Sequence, residues 1–182
     1  METKIGEVVI ECRVGDITAQ DGFDAVVNAA NAYLAPGGGV AGAIHRKAGP
    51  KLYEECKRYA PIKTGEAVIT KGYNLPNPYV IHTLGPVYSR EKNPAEKLVL
   101  CYKNCLRCAE EYKLSSIAFC AISTGVFGYP LEEAAEVSLK AVLDEINNLT
   151  SVKRIRFVLY NEYALNVFEN TLKSLLEKQE NQ

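Results

Sequence analysis

With 182 residues, 47% of them hydrophobic and 24% charged, the chain is sized for one domain, residues 1–182, with a substantial core and no room for a second. A formal net charge of −1 excludes a general electrostatic pull toward nucleic acid or acidic membranes, so any anion must be recognised locally. No apolar run approaches the roughly 20 residues that span a bilayer, and METKIGEVVIECR lacks the apolar stretch of a signal peptide, so a cytoplasmic location is expected.

In chain order, EVVIECR (7–13) and DAVVNA (24–29) are strand-like, and VAGAIHRKAG with its continuation PKLYEECKRY is helix-like. EAVITKGY (66–73) and YVIHTLG (79–85) follow as a strand pair joined across NLPNP, which allows an antiparallel or edge strand. PAEKLVLCYKNCLRCAEEYK is the next helix, opened by Asn93-Pro94. SSIAFCAI (115–122) is a strand. LEEAAEVSLKAVLDEINN is a helix whose first turn holds Pro130, Glu132 and Glu133, residues that suit unpaired N–H groups and the helix dipole. RIRFVLY (154–160) is the last strand and EYALNVFENTLKSLLEK the last helix, with KQENQ frayed. Strand alternating with helix predicts a layered α/β fold around a mixed, largely parallel sheet.

Six cysteines without an export signal are expected as reduced thiols. Cys101, Cys105 and Cys108 form C-x3-C-x2-C, a spacing shared with iron–sulfur sites. Together with Leu98 and Tyr112, however, they fall at i, i+3, i+4 intervals, which predicts a buried helix stripe. Two distant histidines and core-spaced cysteines make no zinc site, so no metal is expected.

Open α/β sheets bind ligands at the carboxyl ends of their strands. After 24–29 comes NAANAYLAP and then GGGVAGAIHRKAG. Gly37, Gly39 and Gly42 formally satisfy G-x-G-x-x-G, but Asn28 to Pro36 intervene after the strand, so the tight turn of a dinucleotide fold cannot form. The remaining physics is a glycine loop feeding a helix N-terminus, which suits a diphosphate. A second glycine-bearing loop, Ser123-Thr124-Gly125-Val126-Phe127-Gly128, follows 115–122 and could clamp the same ligand from the other side.

VGDIT (14–18), VVNAAN (26–31), GGGVAGAIHRKAG (37–49), YVIHTLGPV (79–87) and AISTGVFGYP (121–130) together resemble a macro domain, the ADP-ribose-binding module with a three-layer α/β/α sandwich. The resemblance covers nearly the whole chain. It is greatest to the branch that removes mono-ADP-ribose from proteins and deacetylates O-acetyl-ADP-ribose. It implies that Asp16 accepts a bond from the adenine amino group beside Ile17, and that Tyr160 and Asn161 lie against the base. It also implies that Gly37, Gly38, Gly39 and Val40 meet the diphosphate and distal ribose, and that Ser123, Thr124, Gly125, Val126 and Phe127 hold the phosphates. Asn31 would contact the distal ribose, and Asn28 would hold its loop through backbone bonds.

Many members of that branch read GGGVDGAIH, with an aspartate assigned to organising the attacking water; this chain has Ala41 there. Two readings stay open. In one, a cofactor-free hydrolase uses the substrate's own diphosphate to position water, with Asn31, Gly37 and Phe127 orienting the distal ribose. In the other, the chain is a non-catalytic ADP-ribose reader. His45 reads as a satisfied core group, with catalysis as the alternative, and His82 as structural. The expected partner is ADP-ribose or an ADP-ribosylated protein or small molecule. No nucleic acid or membrane partner is expected, and the chain is expected to be a monomer.

Overall fold

The computed structural model describes residues 1–182. The strands are β1 (Glu2–Ile5), β2 (Val8–Val14), β3 (Ala25–Ala29), β4 (Ala67–Lys71), β5 (Tyr79–Thr83), β6 (Ser116–Phe119) and β7 (Arg154–Leu159). The helices are α1 (Gly39–Ala48), α2 (Pro50–Cys56), α3 (Pro94–Glu111), α4 (Leu131–Glu145) and α5 (Glu162–Glu180). All seven strands form one sheet in the order β1-β2-β7-β6-β3-β5-β4. The five inner strands run parallel, and the edge strands β1 and β4 are antiparallel to their neighbours.

Parallel strands covered on both faces need continuous apolar runs, and Ser116–Phe119 is buried at every position. On β5, His82 lies against Cys56 of α2, whereas the next residue, Thr83, which faces the other way, lies against Cys101 and Cys105 of α3. Helices therefore flank the sheet in three layers: α1 and α2 pack against β3 and β4, while α3, α4 and α5 pack side by side on the remaining face. Tyr102 of α3, Phe119, Phe157 and Phe168 of α5 form an aromatic stack in that second layer, with Phe119 and Phe157 centred 5.6 Å apart. One core cluster of 48 buried residues runs through the fold.

Several boundaries differ from the sequence reading. β1 was not foreseen because ETKI is short and half exposed; Gly6, at φ 59°, makes the two-residue turn that returns it onto β2. The first long helix is two, broken at Gly49, whose φ of 88° no helix tolerates, with Pro50 starting the second. Pro130 stands at the N-cap of α4, just outside its first turn. Tyr112 leaves the predicted stripe and is 50% exposed, because α3 ends at Glu111. The KQENQ tail is helical through Glu180. All six cysteines are free, and five are buried. No helix is long and apolar enough to cross a membrane.

Candidate functional site

The carboxyl ends of β2, β7, β6 and β3 open into one cleft of about 540 Å³, within the range of small-molecule sites. Gly15 to Ile17 line it after β2, Tyr160 after β7, Ala121 and Ser123 to Phe127 after β6, and Gly38 to Val40 with Ala43 from the start of α1. Ala29, Cys120 and Val158 contribute from the strand ends.

One wall is the N-terminus of α1. Its N-cap, Gly38, offers no side-chain cap, its first turn holds no acidic residue, and its last turn holds His45, Arg46 and Lys47. Two of the later helices differ: Asn161 Oδ1 accepts from Ala164 N in α5, and α4 carries Glu132 and Glu133 in its first turn. The first intrahelical donor on this wall is Gly42 N, bonded to Gly38 O at 3.1 Å, so the N–H groups of Gly39, Val40 and Ala41 have no protein acceptor. A helix N-terminus left open in this way offers its free N–H groups and the positive end of its dipole to the cleft.

The facing wall is the 123–128 loop. It is braced by Thr124 donating to Ala121 O and Tyr129 N to Ser123 O, while the N–H groups of Gly125, Val126 and Phe127 stay unbonded. Ser123 holds φ 68°, its hydroxyl buried and unpartnered. Sparsely populated backbone of this kind persists where the surroundings over-determine it. Two rows of unpaired donors thus border one cleft.

At the β2 end, Asp16 Oδ1 accepts from Thr18 N at 2.9 Å and from Thr18 Oγ1 at 2.7 Å, leaving Oδ2 without a protein partner. The Thr18 backbone bond, then its hydroxyl, hold the carboxyl below the usual range, so Asp16 is an ionised acceptor at neutral pH. Tyr160, 61% exposed, stands beside it on the rim.

The structure thus brings Asp16, Ile17, Gly38, Gly39, Val40, Ser123, Thr124, Gly125, Val126, Phe127 and Tyr160 around one cavity. Asn31, Gly37 and Asn161 lie outside its lining. Asn161 caps α5. Asn31 donates from Nδ2 to Ala35 O and accepts at Oδ1 from Ala35 N, so it, and not Asn28, pins the loop backbone. Gly37 sits behind Gly38 against the Asn31 amide. Gly15, Ala29, Ala43, Cys120, Ala121 and Val158 were missed as lining residues; only their places at strand ends and one helical turn beyond Gly39 could have signalled them.

Asn28 turns under the sheet instead. Its Nδ2 lies 3.0 Å from His82 Nδ1, whose other ring nitrogen meets Thr70 Oγ1 at 2.9 Å. Burial, and secondarily His45, push the His82 imidazole down to about 3. His45 is also buried and pushed down by burial, but both its ring nitrogens lack partners, so it is not the satisfied core group expected.

Both rings stay neutral in the fold and titrate near 6.5 when unfolded, so below that pH the unfolded chain binds more protons. The stability they confer is complete above about pH 6.5 and is lost as pH falls below it, for His82 down to about 3. Denaturant unfolding at pH 7 and pH 4.5 is expected to show a loss of about 2–3 kcal/mol from His82 alone. His82→Asn should start less stable and lack that step; an identical pH profile in the variant would place the acid sensitivity elsewhere.

The profile of the family described as Macro domain matches residues 27–138. The O-acetyl-ADP-ribose deacetylase of Salmonella typhimurium is 48% identical over 163 residues, covering 87% of this chain and 90% of that protein. The solved Oceanobacillus iheyensis macrodomain with ADP superposes with a TM-score of 0.93 at 39% identity, covering 98% of this chain and 97% of the other. A Trypanosoma brucei macrodomain in complex with ADP-ribose gives 0.82 at 40% identity, over 88% of this chain and 68% of that one.

Proposed function

The chain belongs to the macro domain family, and from that premise we propose that it binds ADP-ribose and hydrolyses its esters, on aspartate or glutamate side chains or in O-acetyl-ADP-ribose. The observation that carries this reading is the pair of unpaired N–H rows, Gly39 to Ala41 and Gly125 to Phe127, bordering one cleft. A diphosphate between them would supply the acceptors that those donors lack in the protein. Asp16, ionised with Oδ2 free, suits an adenine amino group and would repel the carbonyl that guanine carries there. Relatives solved with ADP and ADP-ribose, and a relative named a deacetylase, support the same assignment.

In this reading the chemistry is metal-independent. The substrate diphosphate orients a water near the anomeric carbon, and Phe127 with the 37–40 backbone fixes the distal ribose. Asn31 acts by holding the 31–35 turn on which that loop rests. The protein would work as a monomer of one domain on an ADP-ribosylated protein or small molecule.

The test is release of free ADP-ribose from a protein mono-ADP-ribosylated on glutamate, with wild type compared with Asn31→Ala and binding measured in parallel. Turnover in wild type that falls about tenfold or more in the variant is the expected result. Because Ala41 supplies no carboxylate, the second reading is a reader module: tight ADP-ribose binding with no turnover of either ester would establish it. Equal affinity for ADP-ribose and AMP would remove the distal-ribose assignments.

A further inference from the structure

Gly42 stands in the first half of α1, where glycine is a poor helix former and alanine the best. It is buried, yet its conformation is ordinary helix, so no positive φ requires it. Space requires it. A Cβ at this position would approach the Gly37 carbonyl oxygen closer than the 3.0 Å that real Cβ atoms respect, and would lie 3.2 Å from the Gly37 carbonyl carbon. The remaining neighbour is Arg46 Nη1 at 3.0 Å, the far end of a flexible side chain. The atoms nearest to it are thus the loop backbone and an arginine tip.

We propose that Gly42 is a positioning residue for the ligand: its bare Cα is the seat on which the Gly37 carbonyl rests, and this contact sets where the Gly38 to Val40 backbone stands in the cleft. The inference rests on the reading of that cleft as an ADP-ribose site. Gly37 is fixed from two sides, by Gly42 and by the Asn31 amide that would lie 3.4 Å from a Gly37 Cβ. Asn31 in turn is tied by two bonds to Ala35. The loop is thus held by a glycine in front and a double-bonded asparagine behind, and neither residue lines the cavity. An added methyl at Gly42 must push Gly37 outward and carry the following N–H groups with it. The Asp16 end, formed after β2 and β7, has no part in this contact.

The experiment is titration of Gly42→Ala with ADP-ribose and with AMP, alongside its melting temperature and that of wild type. The expected result is a loss of ADP-ribose affinity of about tenfold or more, since shifts on the order of 1 Å at a positioned group have effects of that size. AMP affinity should stay within about twofold, and the melting temperature should fall only slightly, because the better helix propensity of alanine offsets part of the cost of displacing the Gly37 carbonyl. Unchanged ADP-ribose affinity would overturn the proposal. So would a parallel loss for both ligands, or a variant that melts far lower or fails to fold, since each makes Gly42 a packing residue. A wild type that binds neither ligand would overturn the cleft reading and, with it, this inference.

Discussion

Ala41→Asp is expected to raise the rate of ADP-ribose release from a glutamate-linked substrate by about 100-fold, the lower end of the range for a positioned acid or base. Ala41 is 5% exposed in the first turn of α1, between Val40 of the cleft wall and Gly42. A carboxylate there is favoured by the open helix end, by about 0.3–1 kcal/mol. It also has a waiting partner. His45 lies one turn on, at i+4, with both ring nitrogens buried and unbonded. Satisfying one of them removes a desolvation penalty of about 1–3 kcal/mol and raises the imidazole from its depressed state. The carboxylate therefore has two destinations, the cleft and His45, and the measurements separate them. A higher melting temperature with an unchanged release rate would mean that it turns to His45 and organises no water. A faster rate would mean that the alanine at this position limits catalysis in the natural chain.

The layered α/β class was legible because the signals were local and repeated. β3, β5, β6 and β7 are short apolar runs, each bounded by a turn, and α3 to α5 are long amphipathic stretches. The order of strands was not legible: nothing local says that β7 inserts between β2 and β6, a pairing that matches Glu11 with Arg156 across 145 residues. The loops of the site were legible by composition, since glycines before a helix announce free donors. Side-chain direction was not. Asn28 and Asn31 are chemically identical and three residues apart, yet β3 sends the first under the sheet to His82, while the turn after it ties the second to Ala35. Asn161 could be read equally well as a contact to the base or as a helix cap, and the chain uses it as a cap.

That long-range pairing has its own consequence. Arg156→Ala is expected to destabilise the fold by about 3 kcal/mol or more, because it leaves a buried carboxylate short of its partner. Glu11 is 3% exposed and Arg156 8%. Arg156 Nε donates to Glu11 Oε2 at 2.8 Å, and its guanidinium lies over the Phe23 ring at 4.4 Å. Arg154 also bonds Glu11, but from a half-exposed position, so it cannot take over the whole task. Burial alone would push the Glu11 carboxyl up; the two guanidinium groups outweigh it and hold the carboxyl low. Its contribution is therefore fully present above the ordinary carboxylate range and is lost as pH falls below that range through the depressed folded-state value, so the gap between wild type and variant should narrow in strong acid. The same arginine reaches the cleft. Its Nη1 donates to Gln20 Oε1 at 2.8 Å, and Gln20 Nε2 donates to the Asp16 carbonyl at 2.7 Å. Urea unfolding and AMP titration of Arg156→Ala should therefore both register a loss. The paired replacement Glu11→Leu with Arg156→Met removes both charges and should recover most of the stability, since a buried ion pair is often no better than an apolar one of similar volume. AMP affinity should not recover with it, because Gln20 would still lack its donor. Recovery of both together would mean that the Asp16 turn needs only a folded sheet beneath it.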